Sequence, residues 1–123
     1  MSAAAGLALI DVIEAEGLVG NCARMGERMK EGIARLDHPW VGDIRFQGLL
    51  GGVELVTSRE TKEILPAQLV SEINLALQRD GVLITISGLH GNVLRLQPPL
   101  VISADQIDHL VATLGRVLDE VAA

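Results

Sequence analysis

Three features of the sequence predict an α+β fold, a two-layer sandwich in which helices cover a small, mainly antiparallel sheet. Apolar residues recur at helical spacing in four segments, and the short stretches between them follow the two-residue period of strands. Glycine and proline mark most of the junctions. The order that results is two helices, two strands, a helix, two strands and a helix, which suits helices packed on one sheet. With 123 residues, 49% of them apolar and 21% charged, the chain is the size of a single domain with a real core, spanning residues 1–123.

The first two helices are expected within residues 1–36. In "SAAAGLALIDVIEAEG", Leu7, Ile10 and Ile13 share a stripe and Gly17 can end the helix. In "LVGNCARMGERMKEGIARL", Leu18, Cys22, Met25, Met29, Ile33 and Leu36 form an apolar face, while Arg24, Arg28, Lys30 and Glu31 point elsewhere. "DHPW" then breaks the pattern, because proline disfavours helical geometry in the residue before it, and His38 reads as a turn residue. A hairpin follows over residues 42–56, with "GDIRF" and "LLGGVELV" joined by Gln47 and Gly48. Glu54 interrupts the second of these strands and reads as a solvent-facing or rim carboxylate.

The polar "TSRETKEILP" is a loop, and Pro66 suits the first turn of a helix over residues 66–80 with Leu69, Val70, Ile73 and Leu77 inward and Gly81 closing it. Two strands are expected over residues 82–97. "VLITI" reads as a buried strand, "SGLHGN" as a glycine-bounded loop, and "VLRLQ" as a strand stopped by Pro98 and Pro99, which cannot donate ladder hydrogen bonds. "SADQ" is a capping box opening the last helix, residues 104–122, with Ile107, Leu110, Val111, Leu114, Val117, Leu118 and Val121 inward. His109 lies beside that stripe without a second metal-ligand type nearby and reads as a surface histidine.

Charge and cysteine content narrow the function classes. Sixteen acidic against 10 basic residues give a net charge of -6, with the basic residues scattered, which argues against nucleic acid as a partner. The single cysteine, Cys22, cannot form an internal disulfide and reads as a buried thiol in a reducing compartment. No apolar run approaches the roughly 20 residues that span a bilayer, and the N-terminus lacks the basic region of a signal peptide, so a cytoplasmic location without membrane contact is expected. The helix at the very start suggests a chain that begins in the middle of a larger architecture. No P-loop, GxGxxG, GxSxG elbow or paired metal ligands occur, so no metal site is expected. The two lysines, Lys30 and Lys62, have polar neighbours, unlike the desolvated or cationic setting that activates a lysine nucleophile. A complete catalytic apparatus is not visible.

One charged residue stands out in "GNVLRLQPPL": Arg95, placed among leucines and valines. Its residue pattern alone is compatible with an internal ion pair, for example with Glu54 or a helix C-terminus. The run "GNVLRLQPPLVIS" resembles the C-terminal signature of class III (ornithine/4-aminobutyrate type) pyridoxal-phosphate-dependent aminotransferases. "VGDIRFQGLLGGVELVTSRETKE" resembles the glycine-rich hairpin that precedes it, and "AAAGLALIDVIEAEGLVGNCARMGERMKEGIARL" the long helix leading into that family's small domain. The resemblance departs from the family's "VRGxGL" at Phe46, where a small residue is usual, which puts the local shape of the hairpin turn in question.

The resemblance implies a fragment equivalent to the C-terminal small domain of a fold-type-I enzyme. The missing large domain would supply the Schiff-base lysine, the aspartate at the pyridine nitrogen and the phosphate cup. The implied activity of the whole enzyme is transfer of an amino group between an amino acid or ω-amine and a keto acid, with pyridoxal phosphate as cofactor. The family's R-x-x-PPL arginine falls on Arg95 and implies a grip on the substrate carboxylate, or on a glutamate until substrate arrives. Gly88, His90 and Gly91 either border the site entrance or form a plain flexible loop. Gly51 and Gly52 read as hairpin geometry or close packing, since no helix N-terminus follows them. This chain alone is then expected neither to bind the cofactor nor to catalyse, and a homo-oligomer is expected. The alternative is a free-standing α+β module that binds a small acid or serves oligomerisation.

Overall fold

A computed structural model describes residues 2–123. Its elements are α1 (Ser2–Ala15), α2 (Leu18–Leu36), β1 (Val41–Gln47), β2 (Leu50–Leu55), α3 (Ala67–Arg79), β3 (Thr85–Ser87), β4 (Val93–Leu96) and α4 (Ala104–Ala122). The strands form one sheet in the order β1-β2-β4-β3, antiparallel at every pairing. The α+β sandwich is therefore as expected. One sheet face is apolar: Val53, Leu55, Leu94 and Leu96 are buried there against Met29 and Ile33 of α2, Val70, Ile73 and Leu77 of α3, and Ile107, Leu114, Val117 and Leu118 of α4. Among the described residues, no helix is long and apolar enough to cross a membrane.

Local chemistry sets the boundaries. Gly17 takes a left-handed φ of 61° between α1 and α2, a conformation with little cost only for glycine. Helix α3 ends in a Schellman motif: the Val82 N–H donates to Leu77 O at 2.9 Å and the Gly81 N–H to Gln78 O at 3.1 Å, with Gly81 at φ 79°. Helix α4 opens with the expected capping box, Gln106 N–H to Ser103 Oγ at 3.3 Å and Ser103 N–H to Gln106 Oε1 at 3.0 Å. Helices α2 and α4 approach closely because two glycines lie at their contact. A Cβ on Gly32 would meet Val111 Cγ2 at 2.8 Å, and one on Gly115 would meet Leu36 Cδ2 at 2.8 Å. Outside this contact the pair Arg28–Asp108 (2.6 Å) joins the same two helices and holds the Asp108 carboxyl below its ordinary pKa.

Several expectations need correction. The hairpin turns at Gly48 and Leu49, one residue later than expected, with Gln47 opposite Leu50. Leu49 is buried and its N–H donates to Cys22 Sγ at 3.3 Å, so packing on α2 selects the turn position over local propensity. Cys22 is consequently half-buried rather than enclosed. The segment "VLITI" pairs only from Thr85, and Leu83 is 82% exposed, because the Schellman bond from Val82 holds the start of that stretch on α3. Phe46 does not disturb the strand register beside the turn, since its ring lies over Gly51, the residue opposite it. Finally, His38 is not a plain turn residue. It is buried, its Nδ1 accepts the Trp40 N–H at 3.2 Å, and its Nε2 faces Asp119 Oδ1 at 3.8 Å.

Helix α1 buries no residue. Leu7 is 65% exposed and Ile10 53%, and Ile13 is only half-buried, so the expected apolar stripe stays largely uncovered among the described residues.

Candidate functional site

The second face of the sheet is polar, and cross-strand register arranges it in rows, because directly opposite residues share a face. One row runs Arg45, Gly52, Arg95, Thr85 across β1, β2, β4 and β3. The next runs Asp43, Glu54, Val93, Ser87. The intervening row of Ile44, Val53, Leu94 and Ile86 faces the helices. Arg95 thus has a simple origin. In "VLRLQ", the two-residue period puts Leu94 and Leu96 into the core and their neighbours outside.

Ion pairing separates the two arginines of that row. Arg45 Nη1 donates to Asp43 Oδ2 at 2.6 Å and to Glu54 Oε2 at 3.1 Å, so two carboxylates neutralise it. Arg95 makes no ion pair among the described residues. Its Nη2 donates to Gln97 Oε1 at 2.6 Å, a neutral acceptor. An Arg95–Glu54 pair, which the sequence left open, does not form, because Glu54 is taken by the arginine on its other side. Gly52 lies opposite Arg95 and leaves the sheet bare between the two guanidinium groups, although a Cβ there would also crowd Val93 Cγ1 at 3.1 Å. Gly51 is a packing glycine beneath Phe46, the close packing expected of it.

The rest of the local frame holds β4 in place. After Pro98 and Pro99 the chain turns, with the Ile102 N–H donating to Pro99 O at 3.0 Å. Asn21 of α2 secures that turn through Nδ2, which donates to Leu100 O at 2.7 Å and Ile102 O at 3.1 Å. On the opposite side of β4, the buried Asn92 donates from Nδ2 to Leu55 O at 2.9 Å, while its own carbonyl accepts the Leu55 N–H at 2.8 Å. Neither asparagine's role is legible in the sequence, since an asparagine near a glycine reads as turn chemistry. A third such residue is Arg59, which joins the connector before β1 to the loop after β2. Its side chain donates to Val41 O at 3.0 Å, His38 O at 2.6 Å and Asp37 Oδ1 at 2.8 Å.

Gly88, His90 and Gly91 lie in the exposed β3–β4 loop, with Gly88 at φ 86° and Gly91 at φ 66°. The loop leaves the sheet at Ser87 and Val93, one row beyond Arg95. The two lysines are distant from this chemistry in kind: both are exposed, and Lys62 Nζ donates to Gly42 O at 2.8 Å. His109 is exposed beside Asp80 O at 3.4 Å, in keeping with a surface role. Among the described residues, no group of three acidic, histidine or cysteine side chains could hold a metal. A separate cleft of about 580 Å³ lies between the lead-in to β3, the turn after Pro99 and the start of α4. Leu96, Ile102 and Leu110 make it apolar, and its polar lining is Gln97, Asp105, Gln106 and His109. Arg95 does not line it, although Gln97, which does, accepts a hydrogen bond from Arg95.

Comparison with known proteins agrees with this architecture. The family model described as aminotransferase class-III matches residues 1–118. The isoleucine 2-epimerase of Lentilactobacillus buchneri is 42% identical over 113 residues, covering 90% of this chain and 24% of that protein. A mitochondrial alanine–glyoxylate aminotransferase 2 homolog of Arabidopsis thaliana is 40% identical over 116 residues, 93% of this chain and 24% of its own length. A Bacillus anthracis aminotransferase of known structure superposes with a TM-score of 0.89 at 36% identity, covering 93% of this chain and 27% of that one. The chain thus spans about a quarter of the length of the curated relatives it matches. With a family model matched along nearly its whole length and relatives above 30% identity, the chain belongs to the class-III aminotransferase family.

Proposed function

We propose that this chain is the small domain of a larger class-III aminotransferase, and that Arg95 grips the acid group of the amino substrate. One observation carries the reading: Arg95 stands on the open polar face of the sheet, held by a neutral amide while the neighbouring arginine is neutralised by two carboxylates. A planar guanidinium can donate two parallel hydrogen bonds to a carboxylate, and it stays charged in any setting. Such a grip fixes the orientation of the Cα–H bond at the reacting centre. The relatives' names support an acid-bearing substrate. They include a taurine–pyruvate aminotransferase, the alanine–glyoxylate enzyme and an ethanolamine-phosphate phospho-lyase homolog. Each of those names pairs an amine with an acidic group.

The residues present do not fit pyridoxal phosphate, because both lysines are solvated and one is committed to a backbone carbonyl. We therefore assign the cofactor-holding groups to the remainder of the enzyme, together with the site border that the exposed loop of Gly88, His90 and Gly91 would complete. A second reading, epimerisation at Cα, is favoured by the 42% identity to an isoleucine 2-epimerase. The two differ in their need for a keto-acid acceptor, and Arg95 serves both in the same way.

The test is Arg95→Lys in the intact enzyme. Lysine keeps the charge but loses the two-pronged geometry. Hydrogen bonds to charged groups contribute about 1.5–3 kcal/mol, so kcat/KM for α-amino acids is expected to fall roughly ten- to a hundredfold. A simple amine without an acid group is expected to lose much less. Equal losses for both substrate types, in step with a lower melting temperature, would mark Arg95 as a packing residue.

A further inference from the structure

We infer that Gln97 is a neutral placeholder on Arg95 and a specificity-determining residue for acid-bearing substrates. This inference rests on the reading of Arg95 as the carboxylate grip.

The position of Gln97 follows from the chain. It is two residues beyond Arg95, so strand alternation puts both side chains on the polar face. Pro98 restricts the backbone of the residue before it to extended geometry, which continues the alternation past the end of β4. Both side chains are exposed, and they meet at 2.6 Å through Arg95 Nη2 and Gln97 Oε1. A guanidinium only donates, so the amide must present its oxygen, and its NH2 group then points away from the arginine.

The chemical identity of the acceptor matters more than its presence. Both two-pronged edges of a guanidinium include Nη2, as Nε with Nη2 or as Nη1 with Nη2. An acceptor on Nη2 therefore occupies a proton that an arriving carboxylate can use. A neutral amide is a weaker acceptor than a carboxylate, so substrate displaces it readily, yet it holds the guanidinium over the sheet beforehand. A carboxylate at the same position would neutralise Arg95, as Asp43 and Glu54 neutralise Arg45 one row partner away. Gln97 thus keeps the positive charge available on a face where the other arginine has lost it.

The experiment compares Gln97→Glu, Gln97→Met and Arg95→Lys in the intact enzyme, with an α-amino acid and a simple primary amine as donors. Gln97→Glu is expected to raise KM for the amino acid about tenfold or more with little change in kcat, and to leave the simple amine within about twofold. Gln97→Met has similar length and no charge, and is expected to keep the preference for the acid-bearing donor. Melting temperatures should stay within a few degrees, because both substitutions are on the exposed face. If Gln97→Glu leaves the amino acid unaffected, or weakens both donors equally, the inference fails. It also fails if Gln97→Met raises KM as much as Gln97→Glu does, since shape rather than charge would then decide. Arg95→Lys separates the two levels. A donor-selective loss there with no effect at Gln97 overturns only the placeholder role, whereas an unselective loss overturns the grip itself.

Discussion

Gly51 lies directly beneath the aromatic ring of Phe46, its partner across the β1–β2 pair, with the ring carbons occupying the space a Cβ would need. The pair explains how an aromatic residue fits at this position: its ring takes the space that a side chain at 51 would need. Gly51→Ala is expected to destabilise the chain by about 1–3 kcal/mol through overpacking, read as a lower urea midpoint. In a double-mutant cycle with Phe46→Ala, most of that loss should disappear, because the space is then free. Additive losses would mean that the ring is not what excludes a side chain at position 51.

The isolated chain is expected neither to hold pyridoxal phosphate at a defined site nor to transaminate. Lys30 and Lys62 are both exposed, and a lysine nucleophile needs a setting that lowers its pKa. Mixed with the cofactor and then reduced with borohydride, the chain should show only slow, scattered modification. A stoichiometric adduct at either lysine by peptide mapping would contradict the assignment of the cofactor site to the rest of the enzyme.

Helix α1 presents Leu7, Leu9, Ile10 and Val12 to solvent at 44% to 65% exposure and buries none of its residues. Large apolar side chains exposed in such number commonly drive association. The isolated chain is expected to form a dimer or larger species in sedimentation, and Leu7→Glu combined with Ile10→Glu should return it to a monomer. A monomer at high concentration with α1 strongly protected from hydrogen exchange would show that the helix is stable without a partner.

Stability is expected to fall in mild acid because of His38. Burial holds its pKa below the usual histidine value, an effect that Asp119 partly opposes and the Arg59 charge reinforces. Its Nδ1 accepts the Trp40 N–H, so protonation there would place two donors face to face. The unfolded chain takes up this proton near pH ~6.5 and the folded chain resists it. The contribution is therefore complete above about that pH and is lost progressively as the pH drops below it toward the lower folded value. Urea midpoints measured at about pH 7.5 and about pH 5.5 should differ more for the wild type than for His38→Gln, which cannot titrate. Equal differences would remove His38 from the acid response.

The elements themselves were legible in the sequence because they rest on local chemistry. The stripes of α2, α3 and α4, the capping box at Ser103, the glycine closure at Gly81 and the strand stop at Pro98 each follow from spacing or from one residue's stereochemistry. The family and the candidate arginine were legible for a related reason: "VLRLQPPL" carries its pattern within a few consecutive residues. What depended on residues far apart in the chain was not. The turn settled on Gly48 and Leu49 because Leu49 could be buried against Cys22, 27 positions earlier. His38 became a buried, bonded residue because Asp119 and Arg59 arrived beside it from α4 and a distant loop. Most consequentially, Glu54 joined Arg45 rather than Arg95, although it belongs to the strand between them. Alternation along a strand fixes which face a side chain takes, but the partner it meets on that face depends on which strands become neighbours and in what register. Those are choices of tertiary packing, and they left Arg95 without a carboxylate of its own among the described residues.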